Sequence, residues 1–315
     1  MNQIDKVKFE HTPVMPKEVL ELLSPKPGGV YMDATIGSGG HAKLILEKIG
    51  EKGRLIGMDQ DSQALEAAKE NLSFAENQVT FVKGNFRDLG KIFDNLKIEK
   101  VDGILLDLGV SSYQLTSPSR GFSSSEKEEN LNARLDMRMD QESPFSAFDV
   151  VNNYPEAKLR EIFFRYGEEP FSTKIAQQIV KERTIKPIET TNDLLSIIRT
   201  ATPPKYRFSQ PKGQYASNVF RAIRMEVNQE LQALEEMVPQ AINRLNSGSR
   251  LVVITFHSLE DRIVKHAFRE ATQPANFREQ PTVKLLTKKP LFPTNEETSS
   301  NPRSQSAKIR AIEKL

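Results

Sequence analysis

Short apolar runs alternate with amphipathic stretches between residues 30 and 110 of the chain. The runs predict four buried strands, and these strands end near Asp33, Asp59, Phe86 and Asp107. The stretches between them, such as residues 62–72, space their apolar residues along one face of a helix. Strands that alternate with helices form a parallel, doubly wound sheet, which binds ligands at the carboxyl ends of its strands. The pattern therefore predicts an α/β fold with one ligand-binding edge.

The alternation stops after the fourth strand. Residues 113–141 are rich in serine, asparagine and charged side chains, which predicts a long loop, and residues 143–200 predict short helices punctuated by prolines. From Asn218 to Leu245 the apolar residues mark one face of a long helix, which we expect to bend at Pro239. We predict an α/β domain of residues 1–112 and 214–315, interrupted by a loop and a helical insertion of residues 113–213.

The last part of the chain completes the sheet pattern. Residues 250–257 form a fifth apolar run, and Ser258 with Asp261 predicts a capping box at the start of the following helix. Residues 282–288 and 306–314 alternate apolar and polar side chains, which is typical of strands. The sequence thus predicts a seven-stranded sheet.

A glycine-rich turn follows the first strand. Glycines allow backbone N–H groups to approach a ligand where a Cβ would block it. Asp59 lies 20 residues after Gly39, which is the spacing at which an acid on the second strand meets the ribose of a bound nucleoside. These residues predict a cofactor that contains adenosine.

The same residues favour S-adenosylmethionine (SAM) over a dinucleotide. Residues 37–42 also fit the G-x-G-x-x-A dinucleotide pattern, so the glycines alone leave both cofactors open. Asp33 at the strand end suits a ligand with an ammonium group, and residues 33–42 contain no arginine or lysine to meet a pyrophosphate. We therefore expect SAM as the cofactor.

The amino-acid composition excludes several kinds of chemistry. The 315 residues contain no cysteine, which excludes disulfides, thiolate metal sites and the thiolate attack that methylation at C5 of a pyrimidine requires. A methylated base would then accept the group on an exocyclic nitrogen, or on another atom that needs no covalent adduct with the enzyme. Four scattered histidines show no metal-ligand spacing, so we expect no metal. No apolar stretch resembles a signal peptide or a membrane span, which predicts a cytoplasmic protein without a membrane partner.

Basic residues concentrate in two stretches. Residues 262–315 contain 11 Lys/Arg and five Asp/Glu, whereas the rest of the chain has a negative balance. Residues 194–225 contain no acid, and their six cations are interleaved with aromatic side chains. This mixture is typical of a single-stranded nucleic-acid track, although a solvated basic surface with core aromatics gives the same pattern.

Several strings are characteristic when taken together. They are A-T-I-G-S-G-G-H at 34–41, G-I-L-L-D-L-G-V-S-S at 103–112, L-D-M-R-M-D at 135–140, Y-G-E-E at 166–169, F-R-A-I-R-M-E-V-N-Q-E-L at 220–231, F-H-S-L-E-D-R-I-V-K at 256–265 and N-P-R-S-Q-S-A-K-I-R at 301–310. With them the chain resembles the bacterial RsmH (MraW) family, whose members methylate N4 of a cytosine in the decoding region of 16S ribosomal RNA. The resemblance spans nearly the whole chain.

The resemblance implies a class I SAM-dependent methyltransferase domain, Rossmann-like with a mostly parallel seven-stranded sheet, and an inserted all-helical domain for substrate recognition. It implies the small ribosomal subunit as partner and leaves a homodimer open. It places the cofactor contacts on Gly39, Gly40, His41, Asp59, Phe86, Asp107 and Gln114. The chain departs from the family at Tyr113, in the longer segment 124–134 and at Gln305.

Catalytic roles stay open at this point. Asp107 could hold the cofactor or accept a hydrogen from the acceptor amine, and Asp59 could instead cap the helix that follows it. Ser111 and Tyr113 are candidates for the base pocket, and His257 lies beyond the fifth strand. Two other functions remain compatible with the sequence, namely a SAM methyltransferase of another RNA or protein acceptor and a SAM-binding ribosome-assembly factor.

Overall fold

The structure, a computed structural model, describes residues 12–111, 114–115, 117–209, 214–274 and 280–315. The strands are β1 (Val30–Asp33), β2 (Arg54–Asp59), β3 (Val79–Lys83), β4 (Val101–Asp107), β5 (Leu245–Thr255), β6 (Val283–Leu285) and β7 (Lys308–Lys314). The helices are α1 (Pro16–Leu23), α2 (Gly40–Ile49), α3 (Ser62–Asn71), α4 (Leu89–Asn95), α5 (Glu128–Leu131), α6 (Ala147–Asn153), α7 (Glu156–Arg165), α8 (Ser172–Arg183), α9 (Thr191–Ala201), α10 (Pro204–Ser209), α11 (Ser217–Asn228), α12 (Glu230–Asn243), α13 (Ser258–Ala271) and α14 (Asn295–Ser300).

The strands form one seven-stranded sheet in the order β3-β2-β1-β4-β5-β7-β6. β7 pairs antiparallel with both of its neighbours, and the other neighbouring pairs are parallel. The strand order reverses between β1 and β4, which opens a crevice at the carboxyl ends of the strands. The predicted fold class, a mostly parallel seven-stranded sheet of the class I SAM-dependent methyltransferase type, is confirmed.

The central strands read as continuous apolar runs because both faces of the sheet are buried. Ile104 and Leu106 of β4 belong to one hydrophobic core cluster, whereas Leu105 between them belongs to the cluster on the opposite face. The same alternation recurs on β5, where Val252 and Val253 point into different clusters. Helices therefore cover the sheet on both sides, and the ligand-binding positions are confined to the strand ends.

The chain divides into two compact units. The first contains the sheet and comprises the residues up to Gly109 together with Leu231–Leu315, and the second is Val110–Glu230. The described part of the second unit is helical, with α5 to α11 around a hydrophobic core of its own. This is the all-helical insertion that was predicted as part of the fold class.

The second unit ends later than the boundary predicted after residue 213. Val219, Phe220 and Ile223 on the apolar face of α11 are buried in the core of the helical unit, so this helix belongs to the insertion. The predicted single helix from Asn218 to Leu245 is also wrong. It is divided at Gln229, which has a φ of 49°, while Pro239 lies within α12.

Candidate cofactor site

Two glycines give the turn after β1 its shape. Gly37 has a φ of 52° and Gly39 a φ of 90°, a left-handed conformation that side chains disfavour. A Cβ on Gly39 would also lie 3.1 Å from the Leu72 side chain. The turn therefore needs glycine at these positions, and α2 begins at Gly40 with no side-chain cap on its first N–H groups. This geometry leaves backbone donors at the ligand edge of the sheet.

Asp59 ties this turn to the end of β2. Its carboxylate accepts hydrogen bonds from the backbone N–H groups of Gly37 (3.0 Å) and Asp61 (2.9 Å). The N-cap of α3 is Asp61, whose carboxylate accepts from Gln63, so the alternative that Asp59 caps this helix is wrong. Burial raises the pKa of Asp59 to about 6, although backbone hydrogen bonds from Asp61, Gly37 and Gln60 oppose that shift. A carboxylate has about four lone-pair sites, which leaves acceptor capacity for ribose hydroxyls.

Asp33 ends β1 as a buried carboxyl group. Its side chain is 1% exposed, and within the described structure it accepts one hydrogen bond, from the Thr35 N–H at 3.2 Å. Burial raises its pKa to about 7, while the field of His41 lowers it and that of Asp107 raises it. A positively charged ligand group near this buried acid would stabilise its ionised form, so the position suits a cationic partner.

His41 and Asp107 face each other across the crevice between β1 and β4. His41 Nε2 lies 3.5 Å from Asp107 Oδ2, and Thr35 Oγ1 accepts a hydrogen bond from the Asp107 N–H at 2.7 Å. In the described part of the chain, both ring nitrogens of His41 and Oδ1 of Asp107 are buried without a hydrogen-bond partner. Buried polar atoms are nearly always paired in native proteins. These atoms therefore suit the polar groups of a bound ligand.

Phe86 follows β3 in a short 3₁₀ turn, Phe86–Asp88. Its ring is partly buried and packs against the core on one face of the sheet, so the alternative of a core phenylalanine holds for part of the ring. Asn85 fixes the turn, because its side chain accepts from Arg87 N–H (3.0 Å) and donates to Gln60 (3.0 Å). Phe86 thus stays at the carboxyl edge of the sheet, where a planar ligand group could pack beside it.

The other site candidates lie in the helical unit or after β5. In the helical unit, Gln114 is buried and accepts from the Ser111 N–H (2.9 Å), while its own N–H donates to Ser111 Oγ (3.2 Å). Tyr113 lies outside the described residues. In the sheet unit, His257 is the N-cap of α13, since its Nδ1 accepts from the Glu260 N–H at 3.3 Å. The structure therefore gives His257 a capping role.

The capping box predicted from Ser258 and Asp261 is wrong by one residue. His257 and Glu260 form the box, and the Glu260 carboxylate accepts from the N–H groups of Phe256 and His257. Asp261 instead forms two hydrogen bonds with Arg310 on β7, at 2.6 and 3.1 Å. Sequence reasoning missed this ion pair because its partners are far apart along the chain.

The basic stretch of residues 194–225 differs most from its prediction. Arg224 forms two hydrogen bonds with Glu230 (2.8 and 3.0 Å), Arg221 donates to the carbonyl of Gly167 (2.7 Å), and Arg199 pairs with Glu126 (2.6 Å). Tyr215 and Phe220 are buried in the core. These side chains support the alternative of core aromatics with structural arginines. Lys205 and Phe208 remain exposed, and Lys212 lies outside the described residues.

Two arginines of the insertion, Arg120 and Arg138, also have structural roles. Arg120 is 2% exposed, and its guanidinium donates to the carbonyls of Arg138 (2.9 Å) and Met139 (3.2 Å). Asp136 forms two side-chain hydrogen bonds with Arg138, at 3.0 and 2.7 Å. A buried arginine that satisfies carbonyls leaves no periodic signal in a sequence, so the pattern could not predict it.

Two further properties bear on the function. Within the described ranges, every helix is too short or too polar to span a bilayer. The described histidines, aspartates and glutamates form no group of three that could hold a metal ion.

Known proteins resemble this chain over nearly its whole length. Residues 8–315 match the family model described as the MraW methylase family. The chain is 50% identical over 318 residues to "Ribosomal RNA small subunit methyltransferase H" of Clostridium botulinum (strain Loch Maree / Type A3), covering 98% of this chain and 100% of that protein. It is 47% identical over 317 residues to the protein of that name from Heliobacterium modesticaldum, covering 98% and 99%.

Solved structures resemble the chain more distantly. A crystal structure of an rRNA methylase from Streptococcus thermophilus aligns with a TM-score of 0.41 and 10% identity, covering 95% of this chain and 93% of that one. The full-length identity to the curated relatives and the match of the family model are the decisive similarities. The chain belongs to the MraW methylase family.

Proposed function

We propose that the protein transfers the methyl group of SAM to the N4 exocyclic amine of a decoding-region cytosine in the 16S rRNA of the small ribosomal subunit. The coarser part, methylation of small-subunit ribosomal RNA, is supported by relatives of that name that match over their full length. The family description, a methylase, agrees with it. The choice of N4 is supported by the absence of cysteine, which leaves no thiolate for chemistry at C5.

The observation that carries the cofactor assignment is the set of acids around the left-handed glycine turn. Asp33, Asp59 and Asp107 end three neighbouring parallel strands, β1, β2 and β4. SAM carries an ammonium group and a sulfonium, and both favour ionised carboxylates nearby. We assign Asp59 and Phe86 to the adenosine half. We assign Gly39, Gly40, His41 and Asp107 to the methionine half, and Gln114 keeps its predicted cofactor role.

Methyl transfer from SAM to an amine requires no covalent intermediate between the protein and its substrate. Bound SAM supplies an electrophilic methyl group on sulfur. The amine of cytosine is a weak nucleophile because its lone pair is delocalised into the ring. Oxygen acceptors that bind its N–H hydrogens would turn the lone pair toward the methyl carbon, and proximity and alignment supply the remaining rate acceleration. Asp107 Oδ1 is an acceptor of this kind, so Asp107 could serve the amine as well as the cofactor.

Transfer of tritium-labelled methyl groups tests this function. Purified small subunits from cells that lack the enzyme should gain label in 16S rRNA when incubated with the protein and labelled SAM. Label in a ribosomal protein would instead indicate another acceptor, and binding without transfer would indicate an assembly factor. A cytoplasmic location and a homodimer stay predictions, which fractionation and light scattering would check.

A further inference from the structure

The residues that follow β6 continue along β7 toward the beginning of that strand. Residues 286–291 run antiparallel to β7, because the N–H groups of Leu286 and Thr287 donate to the carbonyl of Ala311. Leu291 and Ile309 exchange two backbone hydrogen bonds, at 3.0 and 2.9 Å. Phe292 directly follows this pair, whose partner Ile309 is the second residue of β7.

The beginning of β7 lies at the ligand edge of the sheet unit. Lys308 is the register partner of Thr255, the residue at which β5 ends. β5 is parallel to β4, and β4 ends at Asp107 on the same edge. Segment 286–292 and the loop before β7 therefore flank the carboxyl edge on its β5 side, whereas the glycine turn and Asp59 lie on its β1–β2 side.

This flank carries exposed cations and an exposed aromatic ring. We call Lys288, Lys289, Phe292, Arg303 and Lys308 the C-terminal basic face. Lys288, Lys289 and Arg303 are exposed, and Phe292 is 61% exposed. Within the described structure the four cations of the face have no hydrogen-bond or ion-pair partner for their side chains.

Neighbouring acids do not neutralise the face. Asp261 is paired with Arg310, and Glu313 is paired with Arg250 and Lys284. Glu296 and Glu297 on α14 are two further acids, and Glu297 accepts the N–H of Met15. Within the described structure neither forms an ion pair with a cation of the face. The cations of the face therefore remain available to an anionic partner.

Prolines restrict the backbone that carries the Phe292 ring. Pro290 and Pro293 flank Leu291 and Phe292, and a residue that precedes proline is restricted to extended conformations. An exposed phenylalanine on a restricted backbone loses little entropy when a flat group packs on it. Cations that neutralise phosphates next to an aromatic ring that stacks on a base are the elements by which proteins bind single-stranded nucleic acid.

We propose that the C-terminal basic face binds the single-stranded RNA around the acceptor base, with phosphates on its cations and a base stacked on Phe292. This inference rests on the proposed function and adds a contact surface for the RNA on the sheet unit. It explains why a relatively neutral protein concentrates unpaired cations beside its ligand edge.

A charge-reversal pair of variants tests the surface. The first combines Lys288→Glu, Lys289→Glu and Arg303→Glu. The matched control combines Lys48→Glu, Lys52→Glu and Lys100→Glu, which are exposed positions near the opposite edge, where β2 and β4 begin, and give the same change in net charge. Binding of a single-stranded decoding-region oligoribonucleotide is measured by fluorescence anisotropy at several salt concentrations, and SAM affinity by calorimetry.

The first variant should bind the RNA at least roughly tenfold more weakly than the control. Its salt dependence should flatten by about 0.7 in logarithmic slope for each phosphate that the face no longer neutralises. Equal RNA binding by the two variants would overturn the proposal. Equal binding of the oligonucleotide with weaker binding of whole small subunits would also overturn it, and would point to a ribosomal protein as the partner of this face.

A second pair of variants separates stacking from charge and from misfolding. Phe292→Ala should weaken RNA binding by roughly 5- to 160-fold, which is the range for removal of one stacked base, whereas Phe292→Tyr should bind like the wild type. Equal binding by both would refute the stacking contact. If the wild type binds RNA through this face but transfers no methyl group to small subunits, the proposed function is wrong. The assignment of the C-terminal basic face as an RNA-binding surface would then still hold.

Discussion

Two basic regions of this protein look alike in sequence and differ in structure. In residues 194–225 of the insertion, Arg199, Arg221 and Arg224 donate their hydrogen bonds to carboxylates and carbonyls of the same unit. In the C-terminal basic face, Lys288, Lys289 and Arg303 remain exposed, and the face lies beside the ligand edge of the sheet unit. A count of charges does not separate a structural arginine from one that binds a ligand. The hydrogen-bond and ion-pair partners of each cation make this distinction.

Removal of Arg224 tests whether the arginines of the insertion are structural, and it should have the largest effect. Its side chain and that of Glu230 are 15% and 10% exposed, so the pair is largely desolvated. Arg224→Ala should leave a buried carboxylate without its partner and lower the free energy of unfolding by about 3–5 kcal/mol. Urea denaturation measures the change. Lys205→Ala, an exposed control in the same stretch, should change stability by less than about 0.5 kcal/mol, and similar losses in both variants would contradict the distinction.

The buried acid Asp33 at the ligand edge should make the free energy of unfolding depend on pH when SAM is absent. Because the pKa of Asp33 is about 7 in the folded protein and near 3.8 otherwise, the folded state retains a proton that the unfolded chain has released. Stability should therefore fall as pH rises from about 4 to about 7, by at most about 1.4 kcal/mol per pH unit from this group. Asp33→Asn should flatten the curve of unfolding free energy against pH. The exposed control Glu47→Gln should follow the wild type, and an unchanged curve in Asp33→Asn would exclude this explanation.

Asp59 should contribute to SAM binding through its remaining acceptor sites. Asp59→Ala should weaken SAM binding by roughly 1–3 kcal/mol, because ribose hydroxyls would lose an acceptor and the turn would lose its bond to Gly37. Calorimetry at constant pH measures the affinity. Asp59→Asn, which keeps one oxygen acceptor, should lose less, and unchanged affinity in both variants would remove Asp59 from the site.

The smallest effect is expected from the exposed part of the insertion's basic stretch. Lys205→Glu should flatten the salt dependence of RNA binding by at most about one phosphate contact, which is about 0.7 in logarithmic slope. Anisotropy titrations at several salt concentrations measure this slope. A larger effect than that of the C-terminal triple reversal would invert the comparison between the two regions.

The sequence predicted the sheet well because its signals are local. The apolar runs of β1 to β4 and the glycines of the turn each lie within a few residues, and the acids at the strand ends follow directly. The limits of the insertion were harder to predict, because the apolar face of α11 does not reveal which core it enters. The register of the cap before α13 differed by one residue, since histidine at position 257 replaced the expected serine as the cap.

Long-range polar contacts account for most of the remaining differences. Arg120 and Glu169 are almost completely buried, and their partners come from distant segments such as residues 138–139 and Tyr206. Such pairs depend on the tertiary fold, and no periodic pattern encodes them. Among the candidate cofactor residues, the sequence spacing proposed Asp59 directly, whereas the close approach of His41 to Asp107 required the paired strands β1 and β4.

The identity of the modified nucleoside distinguishes methylation of cytosine N4 from every other acceptor. Small subunits methylated by the protein are digested to nucleosides, and the product is identified by chromatography and mass spectrometry against standards. We expect a cytidine with one methyl group on N4, located in the decoding region, and loss of this product in Asp107→Ala. A methyl group on C5, on a ribose oxygen or on another base would contradict the proposed acceptor.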